Sequence, residues 1–219
     1  MLLWMNNPMN QWLNPVVDVY LENFGMSHAP IVWEVGSRDG HDGFELMRRI
    51  AAGWGAENKS KLVCIEPNPE QAAIIRKNYP SAVVYGLAVG DKAREAKFKV
   101  YHGNEGDVGS SSLYMNWKKG SGLESHVITV QVVRLDSLIA DEVIDIMKID
   151  VEGYGYQALK GLGDKLNQIK VLHIETEHDS KSDVKVRKYL EERGWTITHE
   201  LEEWGGMSDF TCLNTNLLS

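Results

Sequence analysis

Between Pro30 and Gly90 the chain alternates strand-type and helical runs, and this alternation narrows the possible folds more than any other feature. "PIVWEVG" (Pro30 to Gly36) is a short β-branched run closed by glycine. "HDGFELMRRIAAGWG" follows, with Phe44, Met47 and Ile50 at helical spacing and glycines at its end. "KLVCIEP" (Lys61 to Pro67) reads as a second strand. In "NPEQAAIIRKNYP", Asn68 is placed to cap a helix, Pro69 to fill its first position and Pro80 to stop it. "SAVVYGLAVG" reads as a third strand. A β-α-β-α-β order predicts an α/β fold, a parallel sheet with helices on both faces.

The middle breaks that rhythm. "AKFKVYHG" and "HVITVQVVRLDSL" have strand character and flank a polar, glycine- and serine-rich loop. A loop of that length in a compact domain points to function, so residues 103–125 are expected to form a lid. The alternation then resumes with "IDIMKID", a helix in "YGYQALKGL" and a strand in "IKVLHIE". "SDVKVRKYLEERG" is the last helix, with Ser182 expected as N-cap and Gly194 as C-cap. "WTITHEL" and "SDFTCLN" close the chain as an antiparallel pair. No repeat or linker divides the 219 residues, so one domain is expected. Its core would span residues 30–219, with residues 1–29 forming an arm or helix over the sheet or the substrate mouth.

Charge and composition exclude several classes. Lys and Arg number 23 against 31 Asp and Glu, a formal charge of −8, which argues against nucleic acid as partner. The two cysteines, Cys64 and Cys212, lie in separate apolar runs and read as buried thiols. The N-terminal stretch lacks the basic and apolar regions of a signal peptide, and no run reaches membrane-spanning length. The expectation is therefore a cytoplasmic chain without membrane insertion; its oligomeric state is not set by the sequence.

The chemistry gathers at strand ends. "EVGSRDG" places Glu34, Gly36 and Gly40 at a strand-to-helix turn, where glycines admit a ligand to the backbone. A dinucleotide site would want G-x-G-x-x-G, whereas the spacing here is E-x-G-x-x-x-G. Glu66 ends the second strand, where a carboxylate can accept both ribose hydroxyls. "MKIDVEG" delivers Asp150 and Glu152 to the end of a buried run, and "HIETEHD" adds His173, Glu175, Glu177, His178 and Asp179. In an open parallel sheet these ends meet at the ligand crevice.

The E-x-G-x-x-x-G turn resembles the first motif of S-adenosylmethionine-dependent methyltransferases. "IDIMKIDVEGYGYQALKGL" (Ile144 to Leu162) resembles the signature of their FkbM family. "VWEVGSRDG", "CIEPNP", "GLAVGD", "GSSSL" and "VRLDSLI" fall in the family's order, and the resemblance runs from about Ile31 to Glu177. It implies a doubly wound, mostly parallel, seven-stranded Rossmann-like sheet with an antiparallel last strand. It also implies S-adenosylmethionine across the strand ends and O-methylation of a hydroxyl on a small molecule, sugar or glycan. Carried over by position, Glu34, Gly36, Ser37 and Gly40 would line the methionine and its turn, and Asp150 would border the cofactor. Glu66 would take the ribose, Asn68 would lie at the adenosine edge, and Ala88 and Val89 beside the adenine. Ser110 and Ser111 match the family's serines without an assigned role.

Methyl transfer from a sulfonium is an in-line displacement, and a neutral hydroxyl must lose its proton. Two means are open. Asp150 or His178 acts as general base, with Glu152 a further catalytic candidate; or Asp150 and Glu175, with Glu152 as a third ligand, hold Mg²⁺. The second arrangement resembles catechol-type O-methyltransferases. Glu152 has a structural alternative, capping the helix that Gly153 opens, and Lys148 has one in pairing with a carboxylate. Trp33, Trp54 and Trp195 are expected in the core, and Trp117 and Trp204 in loops. Two rival functions remain: a catalytically silent nucleoside-binding module, and a nicotinamide-dependent dehydrogenase, which the missing G-x-G-x-x-G disfavours.

Overall fold

The computed structural model describes residues 12–52, 59–103, 110–115, 121–177, 181–203 and 207–218. Helix α1 (Leu13–Phe24) precedes β1 (Ile31–Val35), α2 (His41–Ala51), β2 (Lys61–Ile65), α3 (Pro69–Asn78) and β3 (Val83–Tyr85). Then come β4 (Ala88–Val89), β5 (Arg94–Tyr101), β6 (Ser125–Val133), β7 (Ile144–Ile149) and α4 (Gly155–Gly161). The chain closes with β8 (Ile169–Glu177), α5 (Lys181–Glu191), β9 (Trp195–Glu203) and β10 (Met207–Asn214).

The main sheet has seven strands in the order β3-β2-β1-β7-β8-β10-β9. Strands β3, β2, β1, β7 and β8 run parallel, and β10 is antiparallel to both its neighbours. The chain winds outward from β1 in one direction and from β7 in the other. Their adjacent C-terminal ends are thus the switch point, where open α/β sheets bind ligands.

Each central strand is buried on both faces, and its side chains alternate between two cores. Trp33, Val35, Val63, Ile65, Met147 and Ile149 join Ala158 and Leu159 of α4 and Val186 and Leu190 of α5. Val32, Leu62, Cys64 and Ile146 join Leu46 and Ile50 of α2 and Leu13, Val16 and Tyr20 of α1. Cys64 and Cys212 are free, buried thiols as expected, and Trp33 and Trp195 are core residues. Asn68 caps α3 by accepting the Glu70 amide at 3.1 Å, with Pro69 at the first turn.

The N-terminal helix covers the sheet. Fully buried Asp145, at the start of β7, accepts from Tyr20 Oη at 2.9 Å, Ile31 N at 2.8 Å and Lys170 Nζ at 2.8 Å. His28 Nε2 lies 3.0 Å from the same carboxylate. At the other end of α1, Trp12 stacks on His173 with ring centroids 4.5 Å apart. Among the described residues no helix is long and apolar enough to cross a membrane.

Three expectations need correction. "SAVVYGLAVG" is two strands, not one: β3 stays in the main sheet, while β4 leaves it after Gly86 and Leu87. Strand β4 joins β5 and β6 in a separate three-stranded sheet, order β4-β6-β5, around Phe98, Val100, Val130 and Val132. Ser182 is not an N-cap, because α5 already begins at Lys181. Gly194 lies three residues beyond Glu191 and, at φ 74°, closes the turn before β9 rather than the helix itself. Within the expected lid, residues 104–109 and 116–120 lie outside the described residues, as do Trp54, Trp117 and Trp204.

Candidate active site

Strand register builds the site as two rows across one face of the sheet. Glu34 pairs in register with Cys64 and Lys148, Lys148 with His173, and His173 with Thr211. Two residues further along each strand, on the same face, lie Glu66, Gly36, Asp150, Glu175 and Asp209; Asp209 and Glu175 are register partners. The inner row is a polar layer beneath α1 and α2, and the outer row is the lip of the crevice.

The first turn makes the crevice narrow. Gly36 has φ 82°, and a Cβ there would lie 1.7 Å from the carbonyl oxygen of Asp150. Only glycine allows β1 and β7 to approach so closely at their ends. Gly40, at φ 79°, caps α2 in the left-handed conformation. Ser37 is 2% exposed, and its hydroxyl donates to the Glu34 carbonyl at 2.6 Å and accepts the Ile65 amide at 3.0 Å. Ser37 thus holds the turn's shape, and its side chain has little left to offer a ligand.

Glu66 stands at the base of a cleft of about 550 Å³, whose other walls include Gly36, Asn68, Leu87, Ala88, Val89 and Phe98. Its Oε2 accepts the Arg38 amide at 2.8 Å and its Oε1 the Asn68 amide at 2.7 Å. Both oxygens are oriented yet keep lone pairs for a ligand. Burial pushes the Glu66 carboxyl up to about 7, against the pull of those two amides. Ser111 and Leu113, between β5 and β6, and Tyr154, after β7, complete the lining of the cleft.

A second, polar cleft of about 530 Å³ adjoins it, lined by Glu34, Ser37, Asp39, Asp42 and Lys148. The two clefts share Gly36, Arg38, Asp150 and Glu152. Glu34 is 2% exposed and turns into the first turn of α2, where it accepts the Gly43 amide. Burial holds its carboxyl well above the ordinary range, with Lys148 opposing. Lys148 Nζ donates to Asp42 at 2.7 Å and Asp150 at 3.0 Å and sits 4.9 Å from the Trp12 ring centroid. Burial alone would lower its pKa, but Asp42, Asp150 and Glu34 outweigh it and hold the ammonium charged. Carboxylate pairing for Lys148 is therefore met on both sides.

Oxygens of Asp150, Glu152 and Glu175 lie within 4.8 Å of one another. Burial, with Asp150 and Glu152 adding to it, raises the Glu175 carboxyl well above its ordinary range. Glu152 has φ 48°, an uncommon conformation for a side-chain-bearing residue, and Gly153 follows at φ 81°. The expected helix opening at Gly153 is not found: Tyr154 is the N-cap of α4 and makes no side-chain capping bond. The double left-handed turn aims Glu152 at the acid cluster instead. Ser112 Oγ, between β5 and β6, donates to the Glu152 carbonyl at 2.5 Å.

Most residues anticipated from the sequence converge here. Glu34, Gly36, Ser37, Glu66, Asn68, Ala88, Val89, Asp150 and Glu152 line the two clefts. Gly40 stands behind the turn, packed against Ile75. His173 is buried in the inner row under Trp12, away from the lip. Ser110 is buried, and Ser111 accepts the Tyr101 amide at 3.1 Å. His178 and Asp179 lie outside the described residues, as does the side chain of Glu177. Sequence reasoning passed over Arg38, Asp42 and Tyr154. Asp42 carried a signal as an acid in the first turn of a helix beside the glycine turn, whereas Arg38 acts through its backbone and Tyr154 through folding.

The parallel sheet with its switch-point crevice, oriented carboxylate and acid-lined second cleft fits the Rossmann-like methyltransferase class. The chain belongs to the methyltransferase FkbM domain family, whose model matches residues 34–196. Two solved structures share the fold. The N-terminal domain of human METTL16 in complex with SAH aligns at TM-score 0.51 and 12% identity, over 93% of this chain and 68% of that one. A protein of the NADB-Rossmann superfamily from Streptococcus agalactiae aligns at TM-score 0.50 and 13% identity, over 96% and 70%. The ribosomal protein L11 methylase of Lactobacillus delbrueckii subsp. bulgaricus aligns at 0.48 and 10%, over 94% and 80%. No curated protein matches the sequence.

Proposed function

We propose that this methyltransferase moves the methyl group of S-adenosylmethionine to a hydroxyl oxygen of a small molecule, sugar or glycan. The observation that carries the reading is Glu66, a buried carboxylate with both oxygens oriented by backbone amides at the base of an apolar cleft. Two ribose hydroxyls would donate to it, and adenine would lie against Ala88, Val89 and Phe98. The methionine ammonium would enter the acidic second cleft beside Asp39, Asp42 and Asp150. The sulfur then lies where the clefts meet, over Gly36, Asp150 and Glu152.

As the hydroxyl oxygen bonds to the methyl carbon, the carbon–sulfur bond breaks and S-adenosylhomocysteine leaves. The hydroxyl proton goes to a carboxylate of the lip. Asp150 is the favoured acceptor because it borders both clefts and Lys148 fixes its orientation; His178 is the alternative base. A second reading rests on the spacing of Asp150, Glu152 and Glu175, an all-oxygen donor set that fits a hard cation such as Mg²⁺. When bound, such an ion would make the hydroxyl more acidic. A silent nucleoside-binding module would keep the first cleft and lack turnover.

Asp150→Asn tests the reading. Turnover with labelled S-adenosylmethionine should fall about 100-fold or more while cofactor affinity changes only a few-fold. Equal losses in both would make Asp150 a cofactor ligand only. Loss of turnover on chelation, restored by Mg²⁺, would select the metal-assisted form.

A further inference from the structure

Beyond the two cofactor clefts lies a third, of about 570 Å³, lined by Tyr114, Tyr154, Tyr156, Gln157 and Lys185 with Gly153 and Ser182. It starts at Gly153 and Tyr154, directly after Glu152, and Tyr154 also borders the first cleft. Tyr154 therefore stands between the third cleft and the first. The lining differs in kind from its neighbours. The cofactor clefts are walled by Glu66, Asp150 and Glu152 and by Glu34, Asp39 and Asp42, whereas the described lining here holds Lys185 and no carboxylate.

Three tyrosines give it flat, amphipathic walls, and Tyr114 is 48% exposed. Lys185 Nζ lies 5.6 Å from the Tyr156 ring centroid, and no carboxylate partners it among the described residues. Lys160 flanks the same ring at 5.8 Å, paired with Asp91. Tyrosine faces suit a ring, and an ammonium that no described carboxylate partners, in a chain of net charge −8, suits an anion.

We propose that this third cleft is the acceptor site and that it takes a small hydroxylated ring bearing a carboxylate or phosphate. The proposal rests on the methyl-transfer reading above. On a net acidic molecule the cleft suits a small anion better than a polyanionic chain.

The test begins with S-adenosylhomocysteine binding to the wild-type chain, measured by calorimetry. Failure there would strike the methyl-transfer reading itself, and with it this proposal. Methyl transfer from labelled S-adenosylmethionine is then compared for matched pairs: glucuronate and glucose, galacturonate and galactose, 3-hydroxybenzoate and 3-hydroxybenzyl alcohol, with a short RNA as a separate arm. At least one acid should be methylated with kcat/KM about tenfold or more above its neutral partner. Lys185→Glu, at an exposed position, should bring that ratio to about one while cofactor affinity stays unchanged. Tyr114→Ala should lower kcat/KM for both members of the pair. Neutral partners used equally well, a ratio indifferent to Lys185→Glu, no acid methylated despite intact cofactor binding, or methylation of the RNA alone would each overturn the proposal.

Discussion

A methyl group added at Gly36 would place its carbon 1.7 Å from the Asp150 carbonyl oxygen, in a backbone of φ 82° that disfavours side chains. Overpacking and the left-handed backbone act together, so Gly36→Ala should destabilise the fold by about 3–5 kcal/mol in urea unfolding. A loss under about 1 kcal/mol would mean that β1 and β7 do not meet so closely. Glu66 gives a second expectation at the same scale. Its carboxyl titrates near 7 in the fold against an ordinary 4.5, so the folded chain holds that proton more tightly than the unfolded one. Its contribution to stability is full below about pH 4.5 and is lost as pH rises through about 7. If Glu66 takes the ribose, cofactor binding would run the other way, because ribose hydroxyls would donate to the ionised form. Affinity for S-adenosylmethionine should be about tenfold weaker near pH 6 than near pH 8, and Glu66→Gln should flatten that profile. A flat wild-type profile would detach Glu66 from the ribose. Glu66 and Gly36 were legible in the sequence because each ends a strand-type run beside a turn. Arg38 was not, because what it contributes is an amide, and every residue but proline has one.

The elements show where local pattern gives out. Asn68 and Pro69 announced α3 because capping is decided within four residues. The split of "SAVVYGLAVG" into β3 and β4 was hidden, because β4 finds its partner in β6, whose paired residues Val132 and Val133 are far along the chain. Helix α5 begins before Ser182, and its Val186 and Leu190 pack in one core with Leu172 and Ile174 of β8, contacts that no local signal carries. The segment 110–115 illustrates a stretch fixed from outside. Ser112 exchanges backbone hydrogen bonds with Lys99, and its hydroxyl also accepts the Tyr114 amide at 2.9 Å while donating to the Glu152 carbonyl. Ser112→Ala should therefore cost about 1–2 kcal/mol and speed amide exchange at Tyr114, with turnover reduced through the left-handed Glu152 turn. Unchanged exchange at Tyr114 would show that this segment is held elsewhere.

For the molecule as a whole, the alternation of runs foretold the layers, and strand register then decided the site. Period-two alternation sends Glu34 and Lys148 to the α1 and α2 face and Trp33 and Met147 to the other, so the polar rows follow once strands align. Register between β1 and β7 spans more than a hundred residues of chain, and no local signal carries it. Helix α1 is similar: its Trp12 reaches Lys148 and His173 only because Asp145 anchors the helix's far end. If S-adenosylmethionine binds in the crevice through Glu66, calorimetry of the cofactor should show measurable binding to the wild type and a loss of about 1.5–3 kcal/mol in Glu66→Ala, roughly 10- to 150-fold in affinity. Equal affinity in the two chains, with both folded, would contradict it.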